Sequence, residues 1–452
     1  MNPKPNSRRG SILVVAMLFG TLMVVALSSY VALNTHSLKM ANRSFYASEA
    51  MNMAESGLEE AVWSFNQAYQ GEASAWNGWS ISGTAATRTF TDFTLGTNAT
   101  GFVKVYVDNY NPAPAIQPNV IAESTVTLPN SQGRVSRMVE IKMRRRSYFA
   151  AGLVAKNAIN FTGNTASVDS WVSDPDNDAS TAAVPYGSSV RRDKGSIGAT
   201  SVTATISVGN ADIWGTASVG GSTATNITVG SNGRVGPFST GAGIKDPNSV
   251  ASDFNASLDI VSNPTTGTVL ASIGSTIGTE GTTTVWRTAS CITSSLTVYG
   301  NVTLILTAGA GVDAIDIAGS DGITLAPGAT LTIYTEGDVK IAGNGLANPN
   351  DRPDAFQLWG TSTSTIPQDI QIAGNGALKG VIYAPNANVR INGNGDVMGA
   401  IVGQQITLDG TANFHYDESL GTRNENTPFG ITKWRELLTP TDRAVYASNL
   451  AF

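Results

Sequence analysis

Little in this chain could carry ordinary catalysis or covalent bracing. There is one cysteine, Cys291, so no intramolecular disulfide can form. Only two histidines, His36 and His415, occur in 452 residues, which excludes a histidine-rich metal site and most histidine-based catalytic schemes. Charge is scarce as well: 14% of residues are Asp, Glu, Lys or Arg, and the formal net charge is −6. That balance leaves no basic footprint for nucleic acid, and no nucleic-acid partner is expected. No P-loop, HExxH, GxSxG or CxxC pattern is present. Two further absences shape the N-terminal quarter. No proline occurs between Pro5 and Pro112, and no Asp, Glu, Lys or Arg between Arg9 and Lys39.

What fills that uncharged gap is SILVVAMLFGTLMVVALSSYVALNTHSL, with an apolar core of 22 residues from Ile12 to Leu33. As a helix this core is about 33 Å long and matches a bilayer core of about 30 Å. Lys4, Arg8 and Arg9 precede it, so the N-terminal side is expected in the cytoplasm and the chain beyond about residue 35 outside it. A secretory signal would have an apolar region of only about 7–15 residues and a small-residue cleavage site after it. A plain uncleaved anchor stays open. The expected reading is a class III prepilin signal, cut between Gly10 and Ser11, because a short basic leader ending in Gly runs directly into the apolar helix. Beyond the membrane segment, Met51, Ala54, Leu58, Ala61 and Phe65 recur at helical spacing, with Glu49, Glu55, Glu59 and Glu60 among them. One helix is therefore expected from the anchor to about Asn66.

On Arg9-Gly10-Ser11 and the stem segment Ala54-Glu55-Ser56-Gly57-Leu58-Glu59-Glu60-Ala61, the chain resembles the PilX-like type IV minor pilins and pilus assembly proteins, over roughly residues 8–65. The resemblance implies a prepilin peptidase, other pilin subunits, the pilus assembly machinery and the inner membrane as partners. It also implies a single-pass inner-membrane stage followed by the periplasm or a cell-surface pilus. Pilins usually place Glu at the fifth mature position; here that position is Val15, which points away from a major-subunit role. A second resemblance lies near the other end. Gly380 to Ala387 (GVIYAPNA), Gly399 to Gly403 (GAIVG), Ile406 to Gly410 (ITLDG) and Phe414 to Leu420 (FHYDESL) look like an uncharacterised C-terminal domain of large pilin-like bacterial proteins.

The exported part reads as mainly β. Residues 89–95, 102–110, 120–128 and 135–143 are four strand candidates, expected to form a small antiparallel sheet on the stem helix within 71–147. Arg144-Arg145-Arg146 reads as a solvated strand end. From 148 to 420 short apolar runs alternate with Gly/Asn turns, as in INFTGN at 159, VKIAGNG at 339, IQIAGNG at 370, VRINGNG at 389 and ITLDGTA at 406. The last three begin 19 and then 17 residues apart, the mark of stacked coils in a β-helix (solenoid); a β-sandwich is the alternative. The tail, 421–452, reads as short helices, WRELL at 434–438 and TDRAVYA at 441–447, that would cap the solenoid.

Two clusters could carry chemistry. Asp174, Asp176 and Asp178 alternate as hard oxygen ligands for calcium do, although an EF-hand would need Gly where Ala179 stands, and a plain Asp/Asn turn is the favoured reading. Otherwise no cofactor is expected. His415, with Tyr416, Asp417 and Glu418, offers a His–Asp pair, with a structural corner at the solenoid end as the favoured reading. The sequence thus points to a structural or adhesive pilin-like subunit that is not an enzyme, its surface or carbohydrate ligand unnamed. The alternative is a membrane-anchored β-helix acting on carbohydrate.

Overall fold

Free of proline throughout and of charge between Arg9 and Lys39, Arg9–Tyr69 forms one 61-residue helix, α1. A computed structural model describes residues 9–69, 72–96, 99–112, 117–129, 133–145, 147–163, 165–176, 178, 180–256, 258–342, 345–374, 378–393, 396–421 and 429–452, with backbone only for 9–11 and 374. The chain divides into two compact units, Met1–Arg146 with Asn424–Phe452, and Ser147–Arg423.

In the first unit α1 lies on a six-stranded antiparallel sheet. Five strands follow the helix in order: β1 (Ser80–Ser82), β2 (Ala85–Leu95), β3 (Ala99–Val107), β4 (Asn119–Thr127) and β5 (Arg134–Arg145). The sixth is Phe429–Glu436, which pairs with β5 from Phe429↔Arg145 to Glu436↔Val139. Ala50, Met53, Ala54, Gly57, Leu58, Ala61 and Phe65 form the buried stripe of the helix. A Cβ on Gly57 would stand 2.8 Å from methyl groups of Val103 and Val105, so only glycine lets the helix approach this closely. Of the expected stripe, Ala54, Leu58, Ala61 and Phe65 are buried and Met51 is half-buried.

The tail corrects the sequence reading. Trp434, Arg435 and Glu436 are strand, not helix, because pairing with β5 overrides their helical preference. Among the described residues of the tail, only Pro440–Ala444 is α-helix, α2. Leu437 and Leu450 pack with Ile121 and Met138 of the same small sheet, so within this unit the tail covers a sheet. Lys104 Nζ donates to Leu450 O at 2.9 Å, and the Asn66 side chain receives the Phe429 N–H at 2.8 Å.

The second unit is a 21-stranded sheet in which every named strand pairing is parallel. From its start the chain forms β6 (Leu153–Phe161), β7 (Ser167–Trp171), β8 (Gly195–Ala199), β9 (Thr205–Gly209), β10 (Asp212–Val219), β11 (Ile227–Val229), β12 (Arg234–Gly236) and β13 (Val250–Ala251). Then come β14 (Thr268–Val269), β15 (Thr276–Thr288), β16 (Leu296–Leu306), β17 (Asp313–Ile317), β18 (Ile323–Leu325), β19 (Thr330–Thr335), β20 (Asp338–Ile341) and β21 (Leu346–Ala347). The last are β22 (Phe356–Gly360), β23 (Gln368–Gly374), β24 (Leu378–Gly393), β25 (Asp396–Gly410) and β26 (Asn413–Asp417), which makes the returning strand of the small sheet β27.

Three apolar ladders run through the stack, as a β-helix with three faces requires. One passes Leu304–Ile333–Leu358–Ile382–Ile401–Leu153–Ile197–Ala217. A second passes Ile315–Val339–Ile370–Val389–Ile406–Ile159–Ile206–Ile227. The third passes Leu378–Val397–Phe414–Val168–Ile213–Val235. All of these side chains are buried. The apolar runs at 339, 370, 389, 406 and 159 therefore share one ladder, although the central Asn344, Asn375 and Asn394 of the GNG turns lie outside the described residues.

The order is not that of the chain. The entering strand β6 sits in mid-stack, between β8 and β25. The chain builds outward from β6 to β13, crosses to the far end, and builds back from β14 to close on β6. The crossing segment is held on its way: Phe254 N–H donates to Val219 O, Asp259 O accepts from the Tyr383 hydroxyl, and Asn263 Oδ1 accepts from Thr361. The Ser147 hydroxyl donates to Leu420 O at 2.6 Å, so this unit begins and ends at one place.

Candidate functional site

The first candidate surface is the upper part of α1. From Ile12 to Met40 the large apolar side chains are exposed, whereas the stripe from Ala50 to Phe65 is covered by sheet. This is a helix long and apolar enough to cross a membrane. Gly10 and Ser11 fall inside α1, and the leader residues 1–8 lie outside the described residues. Val15 is exposed among other apolar side chains. Arg144 and Arg145 belong to β5, where Arg145 lies over the Phe429 ring.

On the opposite face of the small sheet, Glu140 is buried. It receives hydrogen bonds from the Tyr446 hydroxyl at 2.5 Å and Asn119 Nδ2 at 3.0 Å, and it pairs with Arg435. Burial pushes its carboxyl up, but these donors outweigh burial and hold it below the usual range.

The second candidate is the polar cluster around His415. β26 lies against β7 in register, which sets His415 beside Asp169 and Phe414 beside Val168. Phe414 turns into the core, and His415 points the other way. It is nonetheless buried, because the excursion between β7 and β8 folds over it. Tyr186 stacks on the imidazole with ring centres 3.7 Å apart. His415 Nδ1 meets Asp169 Oδ1 at 2.5 Å, and Asp169 Oδ2 accepts from the Tyr186 hydroxyl at 2.8 Å and from Arg191 Nε. Burial, then Asp169 as its hydrogen-bond acceptor, pushes the Tyr186 phenol far up. Beside this group Asp417 accepts from the Ser173 N–H at 3.0 Å, the Ser173 hydroxyl at 2.5 Å and the Ser419 N–H at 3.1 Å. Burial still raises its carboxyl above the ordinary value.

A His–Asp pair becomes catalytic when the second imidazole nitrogen faces a nucleophile at hydrogen-bond distance. Here His415 Nε2 faces Asp396 Oδ1 at 3.8 Å, and Tyr186 closes the ring face. The arrangement fastens the covering excursion to the stack. It sits where the entering and leaving coils meet, in mid-stack rather than at the solenoid end expected from sequence.

The aspartates at 174, 176 and 178 are engaged by protein donors. Asp174 pairs with Arg352 at 2.8 Å, and Arg352 also donates to Asp178 O and Thr181 O. The Asp178 N–H donates to the carboxylates of Asp174 and Asp176, and the Ser180 N–H and hydroxyl hold Asp178 below the usual carboxylate range. The Asp/Asn-rich stretch is thus a turn pinned by an arginine, with Asn177 and Ala179 outside the described residues. Among the described residues no group of three His, Cys, Asp or Glu is arranged to hold a metal ion.

Asp169, Tyr186, Arg191 and Arg352 were not singled out from sequence. Asp169 lies 246 residues from His415, so no local spacing joins them. One usable signal was the run Arg191-Arg192-Asp193-Lys194 in a chain otherwise poor in charge.

A family described as a domain of unknown function, DUF7305, matches residues 275–423. No curated protein matches the sequence. Among solved structures, the competence-associated pilin ComZ from Thermus thermophilus is similar at 12% identity, covering 87% of this chain and 98% of that one. Its TM-score is 0.27, too low to define a shared fold.

Proposed function

We propose that this chain is a low-copy, type IV pilin-like minor subunit, structural or adhesive in role and not catalytic. α1 anchors it in the inner membrane with the N-terminus cytoplasmic, and the mature chain begins at Ser11 after a prepilin peptidase cuts behind Gly10. The observation that carries this reading is the division of a single helix. Its first half exposes apolar side chains at every turn, while its second half is seated on an antiparallel sheet. Such a helix has one part made for lipid or for other helices and one part made to hold a head. Val15, where a charged residue would need a partner in lipid, favours a subunit that nucleates or caps a pilus in company with other pilins and the assembly machinery. The outward positions of the second ladder, Gln371, Arg390, Thr407, Asn160 and Ser207, are polar. They suit a hydrated binding surface in the periplasm or on the cell.

Two measurements test it. N-terminal sequencing of the native protein is expected to start at Ser11, and a start at Met1 or beyond residue 30 overturns the processing step. Quantitative composition of sheared surface filaments is expected to find the chain present and scarce; if it is the most abundant subunit, the minor role fails.

A further inference from the structure

The outward face of the second ladder holds a groove of about 350 Å³ that runs across the strands. Its floor is the backbone at Ile370 and Val389, whose side chains are buried on the other side of the sheet. Its walls are two columns of side chains from three successive coils, β23, β24 and β25. Asp369, Asn388 and Gln405 make one column, and Gln371, Arg390 and Thr407 the other. The parallel register sets members of a column about 4.8 Å apart, and alternate positions of one strand set the walls about 7 Å apart. Past β25 the columns continue through Ala158 and Thr205 on one side and Asn160 and Ser207 on the other.

Elsewhere on the stack, outward polar side chains bond to one another from coil to coil. Ser167 donates to Asn413 at 2.8 Å, Asn413 donates to Asp396 at 3.1 Å, and Thr330 donates to Asn301 at 3.0 Å. In the groove the side chains of Asn388, Gln405 and Thr407 have no hydrogen-bond partner among the described residues. They present two amides and a hydroxyl, groups that both donate and accept. Charge narrows what they suit. Arg390 is taken by Asp409. Asp369 has no ion pair among the described residues, and its N–H donates to the Asp338 carboxylate of the adjoining coil at 2.9 Å. The groove thus offers no free cation to an anionic ligand and opposes one with two carboxylates.

We propose that this groove binds an extended, uncharged, β-linked glycan laid across the coils. Sugar hydroxyls and acetamido groups donate and accept as the wall groups do, so each can satisfy the other. A pyranose unit in an extended β-linked chain advances by close to one strand spacing. Successive sugars therefore meet successive coils in the same way, the first between Asp369 and Gln371, the next between Asn388 and Arg390, the third between Gln405 and Thr407. An α-linked chain curls and loses that register after one unit. The floor is rigid sheet backbone, so the site is formed before the ligand arrives and little ordering opposes binding. This inference rests on the adhesive reading of the same face and names its ligand class.

The test uses the full chain purified in detergent and four labelled hexasaccharides. Cellohexaose and chitohexaose are uncharged and β-linked, maltohexaose is uncharged and α-linked, and hexaguluronate is anionic. Saturable binding of at least one β-linked chain is expected, with maltohexaose and hexaguluronate about tenfold weaker or more. Asn388→Ala with Gln405→Ala should weaken binding about tenfold, the effect of losing two hydrogen-bonding side chains. Thr407→Trp, which fills the groove and removes no bond of the stack, should weaken it as well. Asn301→Ala, on a ladder outside the groove, should leave it unchanged. Failure of both β-linked chains to bind, equal binding of maltohexaose or hexaguluronate, or parental affinity in both groove variants overturns the proposal. Recovery in sheared filaments is read on the same variants and should equal that of the parent. A parent chain absent from filaments overturns the pilin reading, and glycan binding by the purified chain still decides the groove.

Discussion

In the small unit one helix covers one face of an antiparallel meander, and the cover comes from the start of the chain while the last strand comes from its end. In the large unit no α-helix covers the coils among the described residues: each coil is covered by the next, and Ile401 of the leaving coil rests on Leu153 of the entering one. The small unit therefore depends on a few contacts between distant segments, such as Asn66 with Phe429 and Tyr446 with Glu140. The large unit depends on register, repeated along three ladders. Removing one contributor should disable the first as a whole and weaken the second locally.

The largest expected effect follows from removing the tail after residue 428. Without β27 and the Leu437–Leu450 clasp the small sheet loses an edge strand and the cover of one face. Hydrogen-exchange mass spectrometry should then show β2–β5 unprotected while the ladders of the large unit keep their protection. Equal protection in both units would break the comparison. Next, Leu153→Ala removes a fully buried link at the point where the two halves of the stack meet. It should cost about 2–5 kcal/mol, with protection lost first in β6 and β25. Gly57→Ala places a methyl 2.8 Å from two valine side chains. It should destabilise the small unit by about 1–2 kcal/mol, overpacking offset in part by better helix propensity, and leave the large unit unchanged.

The smallest effect is one of sign. Glu140 has a lowered value in the folded state, so its stabilisation is complete above the ordinary 4.5 and is lost as pH falls through the lowered value. Asp417 has a raised value, so the folded state holds its proton more tightly, and stability is lost as pH rises from 3.8 through the raised value. Relative to the parent, Glu140→Gln should cost most above that window. Asp417→Asn should cost least above its own. Protection measured against pH in each unit checks both, and slopes of the same sign would remove this contrast.

Much of the architecture was legible in the chain. The helix followed from an uncharged apolar run with no proline. Strands β2 to β5 followed from alternation, and the coils from apolar runs such as those at 370, 389 and 406, which do stack in register. The WRELL segment was misread because its composition favours helix and only a partner strand, far away in the chain, makes it extended. The His415 cluster was half visible: the histidine with Asp417 and Glu418 stood out, but Asp169 comes from β7, 246 residues away, and Tyr186 and Arg191 from the covering excursion.

What the sequence determined by itself are the features with a local cause. These are the length of the anchor, the covered face of the stem, the alternation of each strand and the turn around Asp176. Tertiary structure alone decided which strands are neighbours. A parallel coil with an aliphatic inward position accepts any similar coil above or below it, so nothing local tells β6 that it belongs between β8 and β25, or the tail that it belongs beside β5. Those choices come from closing the stack on itself and completing a sheet edge, and both join residues more than 200 positions apart.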